Sequence, residues 1–314
     1  MPRQSRIDTP GALHHVICRG IDRQKIFTDK NDYLLFLKRL GDLLIETKTS
    51  CFAWALIPNH FHLLLRTGTV PVSVLMKRLL TGYAINFNRR HKRHGHLFQN
   101  RYKSILCQED AYLLELVRYI HLNPLRAKLV LEYGSLAGYP YCGHGVIMGR
   151  RKIDWQDTQY VLCLFGNAAS TARSEYSRFV RSGIEQGNRP DLTGGGLLRS
   201  SGGWTGVKAL RETGDYQKGD ERILGDGTFV SEVLEKAEER FKEGYRLRAR
   251  GYNLDKVIKR VAEITQVTPD EILDSLRDAK RIKARSILCY WATAKLGITQ
   301  SQLAQLLKRT QSAI

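Results

Sequence analysis

Cys51-Phe-Ala-Trp-Ala-Leu-Ile57, then Pro58-Asn59, then His60-Phe-His-Leu-Leu-Leu-Arg66 is the stretch that decides how the chain folds. Two strand-like runs flank a turn dipeptide. Proline fixes its own φ and has no amide hydrogen, so the chain must turn tightly between the runs. Working outward, Leu13 to Arg19 is a further short strand. Asp32 to Glu46 has a broad leucine stripe at helical spacing, and Val72 to Phe87 has the same period. Leu97 to Cys107 reads as a strand. Asp110 to Leu122 reads as a helix, stopped by Asn123-Pro124. The order βαββαβα predicts a small α+β domain over residues 1–145, with helices on one face of an antiparallel sheet.

Beyond it the character of the sequence changes twice. Residues 146–227 carry Gly194-Gly195-Gly196, Ser201-Gly202-Gly203 and Gly225-Asp226-Gly227, which predicts a glycine-rich connector with short helices. Residues 228–314 read as all-helical. Leu254, Val257, Ile258, Val261 and Ile264 share one helical face. Thr268-Pro269-Asp270-Glu271 has the cap, the first-turn proline and the acids of a helix start. Gln302 to Leu307 suits the first helix of a helix-turn-helix, with Lys308-Arg309-Thr310 as its turn. The reading helix would begin near Gln311, so either the motif is a misreading or it is truncated at its end.

Charge narrows the function classes. The 314 residues hold 50 Lys+Arg against 31 Asp+Glu, a formal net charge of +19. Such a surplus favours densely anionic partners, nucleic acid above all. No run reaches the apolar length of a membrane span, so no membrane partner and a cytoplasmic location are expected. The cysteines Cys18, Cys51, Cys107, Cys142, Cys163 and Cys289 lie far apart with no C-x-x-C pair. That spacing is neither a disulfide framework nor a zinc ribbon.

Three groups of residues offer chemistry. His60 and His62 alternate with Phe61, so on a strand both imidazoles point to one face. They can chelate a divalent cation, grip a phosphate, or simply sit on a half-buried strand. On the Asp110–Leu122 helix, Tyr119 and Asn123 are one turn apart. The tyrosine can be ordinary packing or a nucleophile toward phosphorus, provided a cation lowers the cost of ionising a phenol whose free pKa is about 10. Asn123 can lend its carbonyl oxygen to the same cation. Between these groups lie Arg89, Arg90, Lys92, Arg93, Arg101, Tyr102 and Lys103. They read as phosphate contacts, with Tyr102 open to base stacking, or as a solvated basic loop. The interleaved His91, His94 and His96 tempt a second metal site, but fixed positive charge around them disfavours a cation.

Trp54-Ala-Leu-Ile-Pro-Asn-His-Phe-His-Leu-Leu-Leu, Gly95-His-Leu-Phe-Gln-Asn-Arg-Tyr-Lys-Ser and Tyr119-Ile-His-Leu-Asn-Pro-Leu-Arg-Ala occur in this order. Together they resemble the single-tyrosine (HUH) transposases of the IS200 class, particularly the REP-associated tyrosine transposases, over residues 8 to 140. The resemblance implies a ferredoxin-like fold and a homodimer acting on single-stranded or hairpin DNA in the bacterial nucleoid. It also implies Mg²⁺ or Mn²⁺ at His60 and His62, Asn123 as third ligand and Tyr119 as nucleophile; mobile members often carry Gln at the Asn123 position. Residues ~250–314 resemble the helix-turn-helix domain of the replication initiator DnaA. The reading is therefore a metal-dependent DNA transposase/nuclease. A hairpin-binding regulator with idle chemistry and an RNA-targeting nuclease are the alternatives.

Overall fold

The computed structural model describes residues 7–8, 11–68, 70–187, 189, 192, 220, 222–235, 251–274, 276, 278–294, 296, 298 and 300–308. The chain divides into two compact units, Met1–Ser231 and Glu232–Ile314.

In the first unit the predicted order is found: β1 (Leu13–Arg19), α1 (Lys30–Glu46), β2 (Ser50–Ile57), β3 (His60–Arg66), α2 (Val72–Arg90), β4 (Lys103–Cys107) and α3 (Glu109–His121). Asp29 starts α1 with a capping box, accepting from the backbone of Asn31 and Asp32 while Asp32 accepts from Asp29. The sheet order is β2-β3-β1-β4-β5, where β5 is the short Ile223–Leu224. All pairings are antiparallel except β4 with β5. The fourth strand is shorter than its apolar pattern suggests. Residues 97–102 lie outside it; Phe98 bridges to Gly20, and Leu97 and Tyr102 pack into the core beneath the sheet.

The α+β class stands, but the expectation of helices on one face does not. Phe61, Leu63 and Leu65 of β3 join Trp54, Leu56 and Val16 in a core with α1 and α2. The opposite face, with Phe52, Ala53, Ala55, Leu64 and Ile105, packs against Leu113, Leu116, Val117 and Ile120 of α3. The sheet is sandwiched, and the physical reason lies in β2: from Cys51 to Ile57 every residue is buried. A strand without polar alternation must be covered on both faces.

Both sheet edges are covered by chain that follows residue 139. On the β2 side, the Leu56 amide donates to the Tyr141 carbonyl (2.9 Å), Gly143 N–H to the Trp54 carbonyl (2.9 Å), and the Trp54 indole to Gln156 Oε1 (2.8 Å). On the β4 side lies β5, tied by Gln108 N–H to the Leu224 carbonyl at 2.7 Å. Such cover shortens the exposed amide row that makes an edge strand a template for aggregation. Short helices α4 (Asn123–Arg126), α5 (Tyr133–Leu136), α6 (His144–Ile147) and α7 (Thr158–Cys163) lead to α8 (Ala169–Ser182). Val161, Tyr176 and Val180 enter the same core as α3. Much of the 146–227 stretch is thus part of this unit; Gly194-Gly195-Gly196 and Ser201-Gly202-Gly203 lie outside the described residues.

The second unit has its own core. In it α9 (Leu254–Thr265), α10 (Pro269–Leu273) and α11 (Ala279–Ala294) gather Val257, Ile258, Val261, Ile272, Ala284 and Leu288. Thr268 and Glu271 form the expected capping box. A last helix, α12 (Gln300–Leu306), occupies the place read as the first helix of a helix-turn-helix. The predicted reading helix from Gln311 lies outside the described residues. Among the described residues no helix is long and apolar enough to cross a membrane.

Tyr176 docks α8 by a buried polar contact. Its hydroxyl is 2.7 Å from His121 Nδ1 and 2.8 Å from His144 Nδ1. A hydroxyl has one hydrogen, so it donates to one ring and accepts from the other. Burial pushes His144 down to about 4 and His121 well below the ordinary imidazole value of 6.5. Tyr176→Phe strands both ring nitrogens and should cost about 1–3 kcal/mol in urea unfolding at neutral pH. The depressed imidazoles contribute stability in full above pH 6.5. It should be lost as pH falls from 6.5 to about 4, because only the unfolded chain takes up the protons there. A wild-type midpoint flat across that window would refute the burial argument.

Candidate metal and tyrosine site

The alternation of β3 that buries Phe61 against Phe36 (ring centroids 4.8 Å) turns His60 and His62 to the α3 side. On the neighbouring β1, Ile17 pairs with His62 and Arg19 with His60, so His15, Ile17 and Arg19 share that face. The first turn of α3 is fastened to the end of β3. Glu109 accepts from two nitrogens of the Arg66 fork, whose guanidinium lies 4.7 Å from the Phe52 ring and 4.4 Å from the Tyr160 ring. Tyr160 Oη donates to the same carboxylate at 2.6 Å. With its start pinned, α3 carries Tyr119 over the histidines.

The sequence-predicted residues His60, His62 and Tyr119 come together. The two imidazole centroids are 5.2 Å apart, and the Tyr119 ring stands edge-on to His62 at 5.8 Å. Only 9% of Tyr119 is exposed. His60 Nδ1 lies 2.7 Å from Asn59 Oδ1, and His62 Nδ1 lies 3.0 Å from His15 Nε2. Among the described residues, no hydrogen bond is made by Nε2 of either imidazole. Burial, then the Arg19 charge, holds His60 down at about 4. Burial, then His15, His60, Arg19 and Arg126, holds His62 well below 6.5. Both rings are therefore neutral at physiological pH, the form in which imidazole binds a metal. Two neutral imidazoles on one strand face fit a divalent cation.

Asn123 is buried at the junction of α3 and α4. Its Nδ2 donates to the carbonyls of Tyr119 (3.1 Å) and Ile120 (3.2 Å). Pro124 has no N–H for the Ile120 carbonyl four residues back, and the Asn123 amide supplies the missing donor. The side-chain oxygen is the atom left for a ligand role.

Sequence reasoning passes over three residues at this site. His15 is fully buried beside His62 and edge-on to Tyr119 at 5.9 Å. Asn59 reads in the sequence only as a turn residue. Arg126 places its guanidinium 5.0 Å over the Tyr119 ring and donates to the Tyr119 carbonyl at 3.1 Å. Two of them leave a signal: His15 shares a strand face with Ile17 and Arg19, and Arg126 stands seven residues after Tyr119 on the same helical side.

The basic stretch needs two corrections. Tyr102 is 7% exposed and packed in the α1–α2 core, so its ring has no face for a base. Arg90 is ion-paired to both Asp29 (2.7 Å) and Asp32, leaving little charge for a phosphate. Arg89, Lys92, Arg101 and Lys103 are exposed, while Arg93 rests over Phe87 at 5.8 Å. Asp29, Asp32 and His91 stand close enough to hold a cation. Here, however, the carboxylates cap α1 and bind Arg90, and His91 Nε2 lies 3.0 Å from Asp32. The cluster is accounted for as a cap.

Residues 10–123 of the 314 match the family model described as "Transposase IS200 like". That stretch runs from just before β1 to Asn123, so it contains both histidines and Tyr119. Among solved structures, one similar chain is a REP-associated tyrosine transposase bound to a REP hairpin. It has 16% identity and a TM-score of 0.40, and the match covers 49% of this chain and 91% of that one. Another is a putative transposase from Deinococcus radiodurans R1, with 18% identity, a TM-score of 0.27, and 38% and 94% coverage. No curated protein matches the chain.

The turn beneath the site depends on Gly20. Its N–H donates to the Asn59 carbonyl at 2.9 Å, and a Cβ there would collide with the Gln24 carbonyl oxygen. Backbone must move to admit it. Gly20→Ala should lower stability by about 1–3 kcal/mol in thermal or urea unfolding; an unchanged midpoint would show that the turn yields freely.

Proposed function

We propose that the first unit cuts and rejoins single-stranded or hairpin DNA through a covalent bond to Tyr119. The observation that carries this is the meeting of Tyr119 with the neutral His60–His62 pair on one sheet face. The match of residues 10–123 to the IS200-like transposase family supports it. A similar solved structure is of a protein bound to a hairpin, and the proposal takes the same class of DNA as substrate.

His60, His62 and the Asn123 carbonyl oxygen would hold Mg²⁺ or Mn²⁺. When bound, the cation would supply charge to orient the scissile phosphate and offset the negative charge that grows during its displacement. Tyr119 Oη forms a bond to phosphorus as the bond from phosphorus to the 3′ oxygen breaks. The phenolic proton leaves with the departing 3′-hydroxyl in the overall balance, and the 5′ side stays on the enzyme as a phosphotyrosine. A 3′-hydroxyl attacking that linkage reverses the step, so rejoining needs no nucleotide. Arg126, lying over the Tyr119 ring, adds positive charge where an anionic strand arrives. Arg89, Lys92, Arg93, Arg101 and Lys103 are proposed to track the phosphates. The second unit is proposed as a further DNA-binding element of helix-turn-helix type, and the protein as a cytoplasmic homodimer.

Two measurements test the chemistry. Incubated with end-labelled DNA hairpins, wild type should give a labelled protein band on a denaturing gel, and Tyr119→Phe should give none while its DNA affinity stays within about threefold. An adduct surviving in Tyr119→Phe would sink the nucleophile. A labelled RNA in parallel should remain uncut; free ends without an adduct would indicate a nuclease of another type. Chelation should abolish cutting and added Mg²⁺ or Mn²⁺ should restore it. His60→Ala should lower cutting about 100-fold or more, on the order expected for a lost metal contact, with no recovery at high Mg²⁺. Full activity in EDTA would overturn the metal.

A further inference from the structure

The two imidazoles of the site are each held by a different neighbour, and the chemistry of those neighbours bears on which ring nitrogen carries the hydrogen. Asn59 Oδ1 lies 2.7 Å from His60 Nδ1. The other end of that amide, Nδ2, donates to the Arg23 carbonyl at 3.3 Å, which fixes which end is oxygen. A carbonyl oxygen only accepts, so His60 must carry its hydrogen on Nδ1. Its Nε2 then holds a bare lone pair. For His62 the partner is another imidazole, His15 Nε2 at 3.0 Å, and that ring can donate or accept. The two choices differ in outcome: if His15 accepts, His62 Nε2 is bare as well; if His15 donates, His62 Nε2 carries hydrogen and cannot bind a cation.

We infer that Asn59 and His15 are positioning residues, each accepting a hydrogen bond from Nδ1–H of its histidine so that both Nε2 lone pairs face the same site. The geometry favours this arrangement over two independent packed rings. Neither Nε2 is spent on another hydrogen bond among the described residues. His15 is fully buried, stacked on His62 with centroids 5.3 Å apart, so the His62 ring cannot swing away. Asn59 is held from behind by the Gly20 amide on its backbone carbonyl. Metal-binding histidines are commonly fixed through their second nitrogen, and loss of such a partner typically costs about 10–100-fold in affinity. The inference rests on the proposed metal role of His60 and His62, but the tautomer is a property of the metal-free protein and can be read without it.

The test uses the full chain labelled with ¹⁵N in histidine. Long-range ¹H–¹⁵N spectra of the metal-free protein should report Nδ1–H tautomers for both His60 and His62. Asn59→Ala should release His60 into a mixture of tautomers, and His15→Phe should do the same to His62. Asn59→Asp and His15→Gln, which keep an oxygen acceptor, should preserve Nδ1–H. Mn²⁺ titration followed by electron paramagnetic resonance should show affinity reduced about 10–100-fold in Asn59→Ala and His15→Phe and retained within about threefold in the acceptor-keeping pair. An Nε2–H tautomer at His62 in wild type overturns the role of His15, and one at His60 overturns that of Asn59. Variants with wild-type Mn²⁺ affinity and unchanged tautomers overturn both. Wild type with both Nδ1–H tautomers but no Mn²⁺ binding, either alone or with a DNA hairpin present, would leave the positioning intact and defeat the metal reading instead. Should Asn59→Ala or His15→Phe fail to fold, the wild-type tautomers and the acceptor-keeping variants still decide.

Discussion

The register of β3 between β1 and β2 is the constraint on which the site depends. Because strand side chains alternate, one placement decides two environments at once. Phe61, Leu63 and Leu65 enter the core with α1 and α2 while His60 and His62 face α3. A slip by one residue would drive imidazoles against Phe36 and put Phe61 beneath Tyr119. Burial on both sides makes such a slip costly, so packing energy decides which face the histidines occupy, and the contacts of their Nδ1 atoms with Asn59 and His15 act within that choice.

That same burial sets the electrical character of the site. An imidazole surrounded by apolar strands resists protonation, and Arg19 and Arg126 add repulsion in the same direction. The neighbourhood is thus short of fixed negative charge yet rich in neutral lone pairs and cationic side chains. Such a site is poorly suited to binding a bare cation by charge alone. It is well suited to a cation that arrives with, or is completed by, an anionic group such as a phosphate, because the basic residues then meet the phosphate and the imidazoles meet the metal.

The hairpin and the element order are legible in the sequence because each is a local pattern: two strand runs about Pro58-Asn59, helical leucine spacing, and alternation. Spacing leaves His60, His62 and Tyr119 open to ordinary packing, and only the resemblance to IS200-class transposases joins them into one set. What is not legible depends on contacts distant in sequence. That α1 and α2 lie on one face and α3 on the other is hidden, although the unbroken burial of β2 has a trace in the apolar run Phe52 to Ile57. Tyr102 sits among basic residues and reads as surface, yet its ring belongs to the core. The edge cover by Gln156 and β5, like the docking of Tyr176, joins segments far apart in the chain, for which no periodicity exists.

Asn123 is where local folding and the proposed chemistry place demands on one side chain. Pro124 breaks α3 and starts α4, which returns Arg126 to the Tyr119 ring. The break costs the Ile120 carbonyl its usual donor, and in a buried position that carbonyl must find another. Asp could accept for a cation but would offer no hydrogen to the two carbonyls; Leu would fill the space and do neither. A carboxamide meets both demands with its two ends. Nδ2 closes the helix terminus on Tyr119 and Ile120, and Oδ1 remains as an oxygen donor. The amide therefore holds the backbone that carries Tyr119, whether or not its oxygen also meets a metal. For this reason loss of activity on replacing Asn123 would not by itself identify a ligand. The discriminating comparison is between changes that spare Nδ2 and changes that spare Oδ1.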